Sequence, residues 1–220
     1  MRQVRTFLKR GAMAALLATT AAGAAPTVAA ADTALFAGGC FWCVESDMES
    51  VNGVTDAVSG YAGGSRQNPT YDDYHEGGFR EVVQVEFDPS VISYDQLVHI
   101  FLRTIDPTDG SGQFCDRGHG YSPAIYALDG EQEQKATAAV DEAAKALGKS
   151  LEVPVEGAAK FWPAEDYHQD YYKSDVRQLT RFGFVTRAKA YKGYREGCGR
   201  DKRVRSVWGD QAYQGVSLTH

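Results

Sequence analysis

Beyond its first thirty residues the chain lacks any apolar run near the about 20 residues that a permanent membrane-crossing helix needs, and it has no internal repeat or low-complexity segment. Positive charge is also in short supply: 23 Lys and Arg stand against 29 Asp and Glu, a formal net charge of −6. That deficit argues against nucleic acid or an anionic membrane as partner, because both require clustered cations. Only four cysteines occur, Cys40, Cys43, Cys115 and Cys198, and they lack the doubled C-x-x-C spacing of a zinc ribbon. No metal site is expected. At 220 residues with 43% hydrophobic content, the chain is long enough to fold around one core without disulfide staples. The sparse thiols therefore read as redox chemistry.

The first 31 residues differ from the rest. "MRQVRTFLKR" is basic, "GAMAALLATTAAGAA" is apolar, and "TVAAAD" offers small residues for cleavage near Ala31. This is the layout of a signal peptide, and removing residues 1–31 takes the formal charge from −6 to −10. The expectation is an exported protein, periplasmic or secreted and not held in a membrane after cleavage. Residues 32–220 are expected to form one monomeric catalytic domain.

Runs rich in β-branched and aromatic residues predict strands at Ala34–Ala37, Val54–Tyr61, Glu81–Phe87, Ala124–Leu128 and Leu151–Val155. Helices are predicted at Val44–Ser50, Tyr94–Ile105 and Glu131–Leu147, the second opened by the capping box Ser93-x-x-Gln96 and the third capped by Asp129 and stopped by Gly148. Their alternation favours an α/β fold, a two-layer sandwich of helices on a mixed sheet. Two long polar stretches, "GYAGGSRQNPTYDDYHEGG" and "DPTDGSGQFCDRGHGYSP", are too polar for core and too long for idle connections. From about Gly183 the basic chain reads as an irregular tail over the domain, carrying Cys198.

The stretch "GGCFWCVE" concentrates the chemistry. Cys40 stands just ahead of a helix, where unpaired N–H groups and the helix dipole favour thiolate. Phe41 and Trp42 cannot both point into one core, so one of them can wall an apolar pocket beside the thiol. Cys43 lies one turn on and is within reach of Cys40. Alternation along "EVVQVEF" places Glu81 on one face with Val83, Val85 and Phe87, where a carboxyl would be desolvated and hold its proton as a general acid. Tyr71, Tyr74 and Tyr121 lie in the long loops, Asp116 and His119 flank Cys115, and His168 in "AEDYHQDYY" reads as structural. On residue types alone, a thioredoxin-like disulfide oxidoreductase using Cys40 and Cys43 is the rival enzyme class, and a metal-binding protein without activity is a third reading.

Taken together, "GCFW", "GYAGG", "NPTY", "EVVQVEFDP", "DRGHGYSPAIY" and "AEDYHQDYY" resemble peptide methionine sulfoxide reductase of the A type, in order from about Leu35 to Tyr172. The segment around Cys198, "GCGRDKR", with the closing "VWG", is similar to the tail of one branch of that family. The resemblance implies a fold related to ferredoxin-like plaits, with no cofactor or metal. It implies Cys40 as nucleophile, Phe41 and Trp42 as the pocket for the substrate S-methyl group, and Glu81 as proton donor, with Glu76 the alternative acid. Tyr71 and Tyr121 would hydrogen-bond the sulfoxide oxygen, supported by Asp116. The substrate would be methionine S-sulfoxide, free or in oxidised proteins and peptides, and a thioredoxin-like dithiol would regenerate the enzyme. The chain departs from the family pattern at Cys43, where most members have Gly, and at Phe79, where His is usual. Cys198 is expected to resolve the Cys40 sulfenic acid, with Cys43 acting second and Cys115 the least suited partner.

Overall fold

The computed structural model describes residues 31–218, together with Met1. Residues 2–30, on which the signal-peptide reading rests, lie outside the described residues. In chain order the elements are β1 (Asp32–Ala37), α1 (Phe41–Glu49), β2 (Val54–Ala62), β3 (Arg80–Phe87), α2 (Tyr94–Leu102), β4 (Gly112–Gln113), β5 (Asp116–Arg117), β6 (Ala124–Tyr126), α3 (Gly130–Leu147), β7 (Val155–Glu156), β8 (Trp162–Pro163), β9 (Arg177–Thr180), β10 (Gly183–Thr186), α4 (Arg187–Gly197) and α5 (Arg200–Trp208).

The main sheet runs β7-β6-β1-β3-β2-β8. Strand β3 lies antiparallel between β1 and β2, β6 is antiparallel to β1, and β7 adds a parallel edge to β6. The order β6-β1-β3-β2 is that of a split βαβ plait, and the parallel edge makes the sheet mixed, as expected. Side chains alternate across it. Ala34, Phe36, Val83, Val85 and Phe87 face the helices and bury Val44 and Met48 of α1, Leu97 and Phe101 of α2, and Ala136 and Ala139 of α3. Leu35, Ala37, Val82, Ala124 and Tyr126 face the other way, under Leu128, Ala159 and Phe161. Helices on one face and irregular chain on the other give two layers.

Local signals set most helix ends. Ser93 and Gln96 form the reciprocal capping box of α2. The Asp129 carboxylate accepts the Gln132 N–H at 2.8 Å, and Gly148, at φ 61°, ends α3. Helix α1 starts at Phe41 rather than Val44, because the Cys40 carbonyl already accepts the N–H groups of Cys43 and Val44 at 3.0 and 3.3 Å. Gly39 makes the turn out of β1: its φ of 83° favours glycine, and a Cβ there would stand 2.6 Å from Gln113 Cβ.

Two expectations are corrected. No strand covers Leu151–Pro154; the edge strand is Val155–Glu156, because Pro154 has no N–H to give a ladder and contributes only its carbonyl, which accepts from Ile125 at 3.0 Å. The segment after Gly183 is not irregular but forms β10, α4 and α5. Its helices bury Ala190, Tyr191, Arg195, Arg200, Val204 and Trp208. With arginine and tyrosine filling much of the inward stripe, hydrophobic periodicity does not reveal them. Among the described residues no helix is long and apolar enough to cross a membrane.

Phe36 is fully buried and stacks on Phe101 with ring centroids 4.5 Å apart, joining sheet to α2. Phe36→Ala is expected to cost about 3–5 kcal/mol of stability, read as a lower urea midpoint at unchanged slope.

Candidate active site

Cys40 occupies the position before α1, and no side chain of its own segment caps that helix. The cap comes from far along the chain: Glu81 Oε2, at the start of β3, accepts the Phe41 N–H at 2.9 Å. Its other oxygen accepts the Tyr74 hydroxyl at 3.0 Å. Glu81 is 2% exposed and lies on the helix-facing side of β3. Burial outweighs both hydrogen bonds and pushes its carboxyl up to about 8. The face read from strand alternation thus places a protonated carboxyl beside the residue next to Cys40. Glu76, the alternative acid, is exposed and paired with Arg66 at 3.3 Å.

The aromatic wall is wider than the two residues singled out from sequence. Phe41 is buried, and Trp42 stacks on Tyr171 at 3.9 Å. Trp42 Nε1 donates to His168 Nδ1 at 3.2 Å, and the His168 ring lies 4.9 Å from Phe41 and 4.5 Å from Tyr71. Burial brings His168 down to about 4, so its imidazole is neutral and can accept from the indole. His168 therefore fixes the wall, at a place where its sequence setting signalled only a structural role. Tyr71 is 36% exposed at the rim, and the Tyr121 hydroxyl interacts with those of Tyr71 and Tyr74. Tyr74 joins this group by its bond to Glu81. Asp116 accepts the hydroxyl of Tyr194 from α4, a partner without a sequence motif to announce it. A recess on the outer side of Trp42 is lined by Tyr171, Phe182, Ala190 and Tyr194.

The thiols depart from the sequence reading. Cys198, expected to be the first resolving thiol, is in a disulfide with Cys115, their Cα atoms 5.0 Å apart. Cys40 and Cys43 are free and buried. Burial, a hydrogen bond to Cys43 and the nearby charges of Cys43, Glu81 and Asp116 push the Cys40 thiol well above its ordinary range. The helix N-terminus does not hold a thiolate at Cys40, since Glu81 occupies the first N–H. For Cys43 burial acts upward, but the hydrogen bond with Cys40 and the charges of Arg200 and Arg195 prevail and bring it to about 7. A thiol, a proton-bearing carboxyl, hydroxyl donors and an aromatic wall thus share one site.

The sequence profile described as "Peptide methionine sulfoxide reductase" matches residues 32–199. The chain belongs to the peptide methionine sulfoxide reductase family. It is 55% identical over 184 residues to the peptide methionine sulfoxide reductase MsrA 2 of Rhizobium meliloti, covering 84% of this chain and 87% of that one. It is 40% identical over 200 residues to MsrA 2 of Caulobacter vibrioides, covering 90% and 94%. The solved structure of methionine sulfoxide reductase A of Corynebacterium diphtheriae superposes with a TM-score of 0.61 at 30% identity, covering 64% of this chain and 73% of that one. As a family member the chain is an oxidoreductase, and its fold is the α/β fold of these relatives.

Glu81 carries a stability cost with a definite sign. Its carboxyl ionises at about 8 in the folded protein against an ordinary 4.5, so the folded state keeps a proton that the unfolded chain releases. Its contribution is full below about pH 4.5 and is lost as pH rises to about 8. Glu81→Gln, neutral throughout, is expected to raise the urea midpoint over the parent increasingly across that window. A parent–variant difference that stays constant with pH contradicts the assignment.

Proposed function

We propose that the enzyme reduces methionine S-sulfoxide, free and protein-bound, to methionine through a cysteine sulfenic acid. The observation that carries this reading is the protonated Glu81 carboxyl hydrogen-bonded to the residue beside Cys40, inside an aromatic wall. A methyl sulfoxide has a small apolar methyl, a polar S–O bond and an electrophilic sulfur. Phe41 and Trp42 receive the methyl group, and Cys40 attacks the sulfur. Glu81 protonates the oxygen while Tyr71 and Tyr121 hydrogen-bond it, and Asp116 orients this rim through Tyr194. The oxygen passes to Cys40 as a hydroxyl, methionine leaves, and sulfur chemistry closes the cycle.

The resolving thiol in this state is Cys43. Cys198 is engaged with Cys115, whereas Cys43 is hydrogen-bonded to Cys40. Attack of Cys43 on the sulfenic sulfur forms the Cys40–Cys43 disulfide and releases water. A thioredoxin-like dithiol then restores both thiols.

The enzyme acts as an exported monomer, in a periplasm or outside the cell. Supporting cleavage, β1 begins at Asp32 and the family match begins at residue 32, so cutting after Ala31 removes none of the described elements. N-terminal mass analysis of the native protein is expected to find Asp32 first; intact residues 1–31 contradict export by cleavage.

Cys40→Ser is expected to abolish methyl sulfoxide reduction even with excess dithiothreitol. Glu81→Gln slows the first half-reaction by about 10²–10⁴-fold, as is typical for loss of a general acid. In the parent that step weakens as pH rises through about 8, where Glu81 ionises. Cys43→Ser is expected to release one methionine per enzyme, more slowly than the parent, and stall as the sulfenic acid, while Cys198→Ser keeps cycling. The reverse outcome returns the resolving role to Cys198.

A further inference from the structure

Arg200, on α5, is among the largest fully buried side chains in the protein. It lies under the active-site turn: Nη1 donates to the Gly38 carbonyl at 3.3 Å, two residues before Cys40. Nε stands 3.7 Å from Asp47 Oδ2, and the guanidinium lies 4.7 Å from the centre of the Phe114 ring. Asp47 is four residues after Cys43 in α1, so the two side chains share one face of that helix. Gripping Gly38 before the turn and Asp47 beyond it, Arg200 brackets Cys43.

Two guanidinium groups and two carboxylates gather near Cys43, but they are unevenly matched. The turn before α1 brings Cys40 and α1 brings Asp47; from β3 comes Glu81; from α4 come Tyr191, Tyr194 and Arg195; from α5 come Arg200 and Asp201; and Tyr213 approaches from the following segment. Arg195 pairs with Asp47 at 2.9 Å and with Asp201 at 2.8 Å. Arg195, Arg200 and Asp47 are buried, whereas Asp201 is 38% exposed on its side chain. Arg195 is thus held by two carboxylates at close range, whereas Nε and Nη2 of the fully buried Arg200 have no hydrogen-bond partner among the described residues and Nε stands 3.7 Å from Asp47. Leaving a buried cation unmatched is costly, and a thiolate at Cys43 supplies the missing negative charge.

We propose that Arg200 is a positioning residue of this redox site, whose buried guanidinium keeps the charge of the Cys40–Cys43 pair on Cys43. The inference rests on the reaction proposed above and gives Cys43 two further tasks. In the first half-reaction the Cys43 thiolate takes the Cys40 proton as the Cys40 sulfur bonds to the sulfoxide sulfur. Glu81 gives its proton to the oxygen, the S–O bond breaks, and the hydroxyl ends on Cys40. The substrate sulfur gains two electrons and the Cys40 sulfur loses two. Cys43, now a thiol, attacks the sulfenic sulfur, and its proton leaves with the hydroxyl as water. In regeneration a dithiol reductant attacks the Cys40 sulfur, the more exposed of the two, and the S–S bond breaks toward Cys43, which leaves as thiolate beside Arg200. The reductant's second thiol closes its own disulfide, and Cys40 recovers a proton. The lower-pKa thiol is the better leaving group, so Arg200 sets which sulfur departs.

The test compares Arg200→Met and Arg200→Lys with the parent. Single-turnover methionine release from a methionine sulfoxide dipeptide is followed against pH without reductant. Thiolate ultraviolet absorbance is titrated in parallel. In the parent both are expected to rise near pH 7, where burial is outweighed at Cys43. For Arg200→Met the thiolate midpoint is expected to move up by about one unit or more, lowering the rate near pH 7 about five- to tenfold. Because Glu81 ionises at about 8, the rate maximum stays below that of the parent, while the thiolate absorbance reaches the parent's full amplitude at higher pH. Arg200→Lys restores most of the shift. Retained single-turnover methionine release and an unchanged urea midpoint show that the variant is folded. An unshifted profile, or a pH-independent loss with unchanged thiolate titration, overturns the proposal. If Arg200→Met does not fold, the neutral, shorter Arg200→Gln takes its place, and an unshifted profile and titration in that variant overturn the proposal equally. Failure of the underlying reaction is separate: it shows as sulfoxide reduction persisting in Cys40→Ser.

Discussion

The site depends on one hydrogen bond, from the Phe41 N–H to the Glu81 carboxyl. A helix N-terminus offers N–H groups to whatever negative or acceptor atom lies nearest. In a C-x-x-C turn that partner is ordinarily looked for on the first cysteine. Here β3 delivers a carboxyl across 40 residues of sequence to take it. The bond joins the acid to the nucleophilic turn and caps a helix without a local cap. It also leaves Cys40 as a buried thiol whose ionisation must be arranged elsewhere.

That arrangement comes from the C-terminal helices. Arg195 and Arg200 enter the space beneath Cys43, and the Cys115–Cys198 disulfide ties the end of α4 to the loop holding Asp116. Tyr194 of the same helix bonds Asp116 directly. One element therefore serves both ends of the site, charge below Cys43 and orientation at the rim. Burying two guanidinium groups is affordable only because Asp47, Asp201 and a neighbouring sulfur share the charge.

What the sequence made legible follows from how each part is held. The sheet, α2 and α3 could be read because most of their buried positions are apolar and follow periods of two and 3.6, whereas α1, which buries Glu45, Ser46 and Asp47, was read only from Val44 onward. Glu81 could be placed for the same reason, since its face is fixed by Val83, Val85 and Phe87. The last two helices were hidden because the inward residues Tyr191, Arg195 and Arg200 read as a solvated basic surface. The ionisation order of the two thiols was hidden as well. It depends on Glu81 and Arg200, 41 positions after and 160 positions after Cys40 in the chain, and no local pattern carries that pairing.

The place of β3 in the sheet has a consequence for how this scaffold tolerates change. The strand is laddered on both edges, Val83 opposite Phe36 of β1 and Glu81 opposite Tyr61 of β2. A slip of one residue would turn Glu81 and every apolar neighbour to the wrong face, so the register is locked from two sides. Insertions or deletions between Ala62 and Arg80 must then be absorbed by the loop itself, with the acid staying in place. Length changes fall on the stretches of that loop outside Tyr71 and the buried Tyr74, which is itself bonded to Glu81, while the proton donor stays anchored on the central strand.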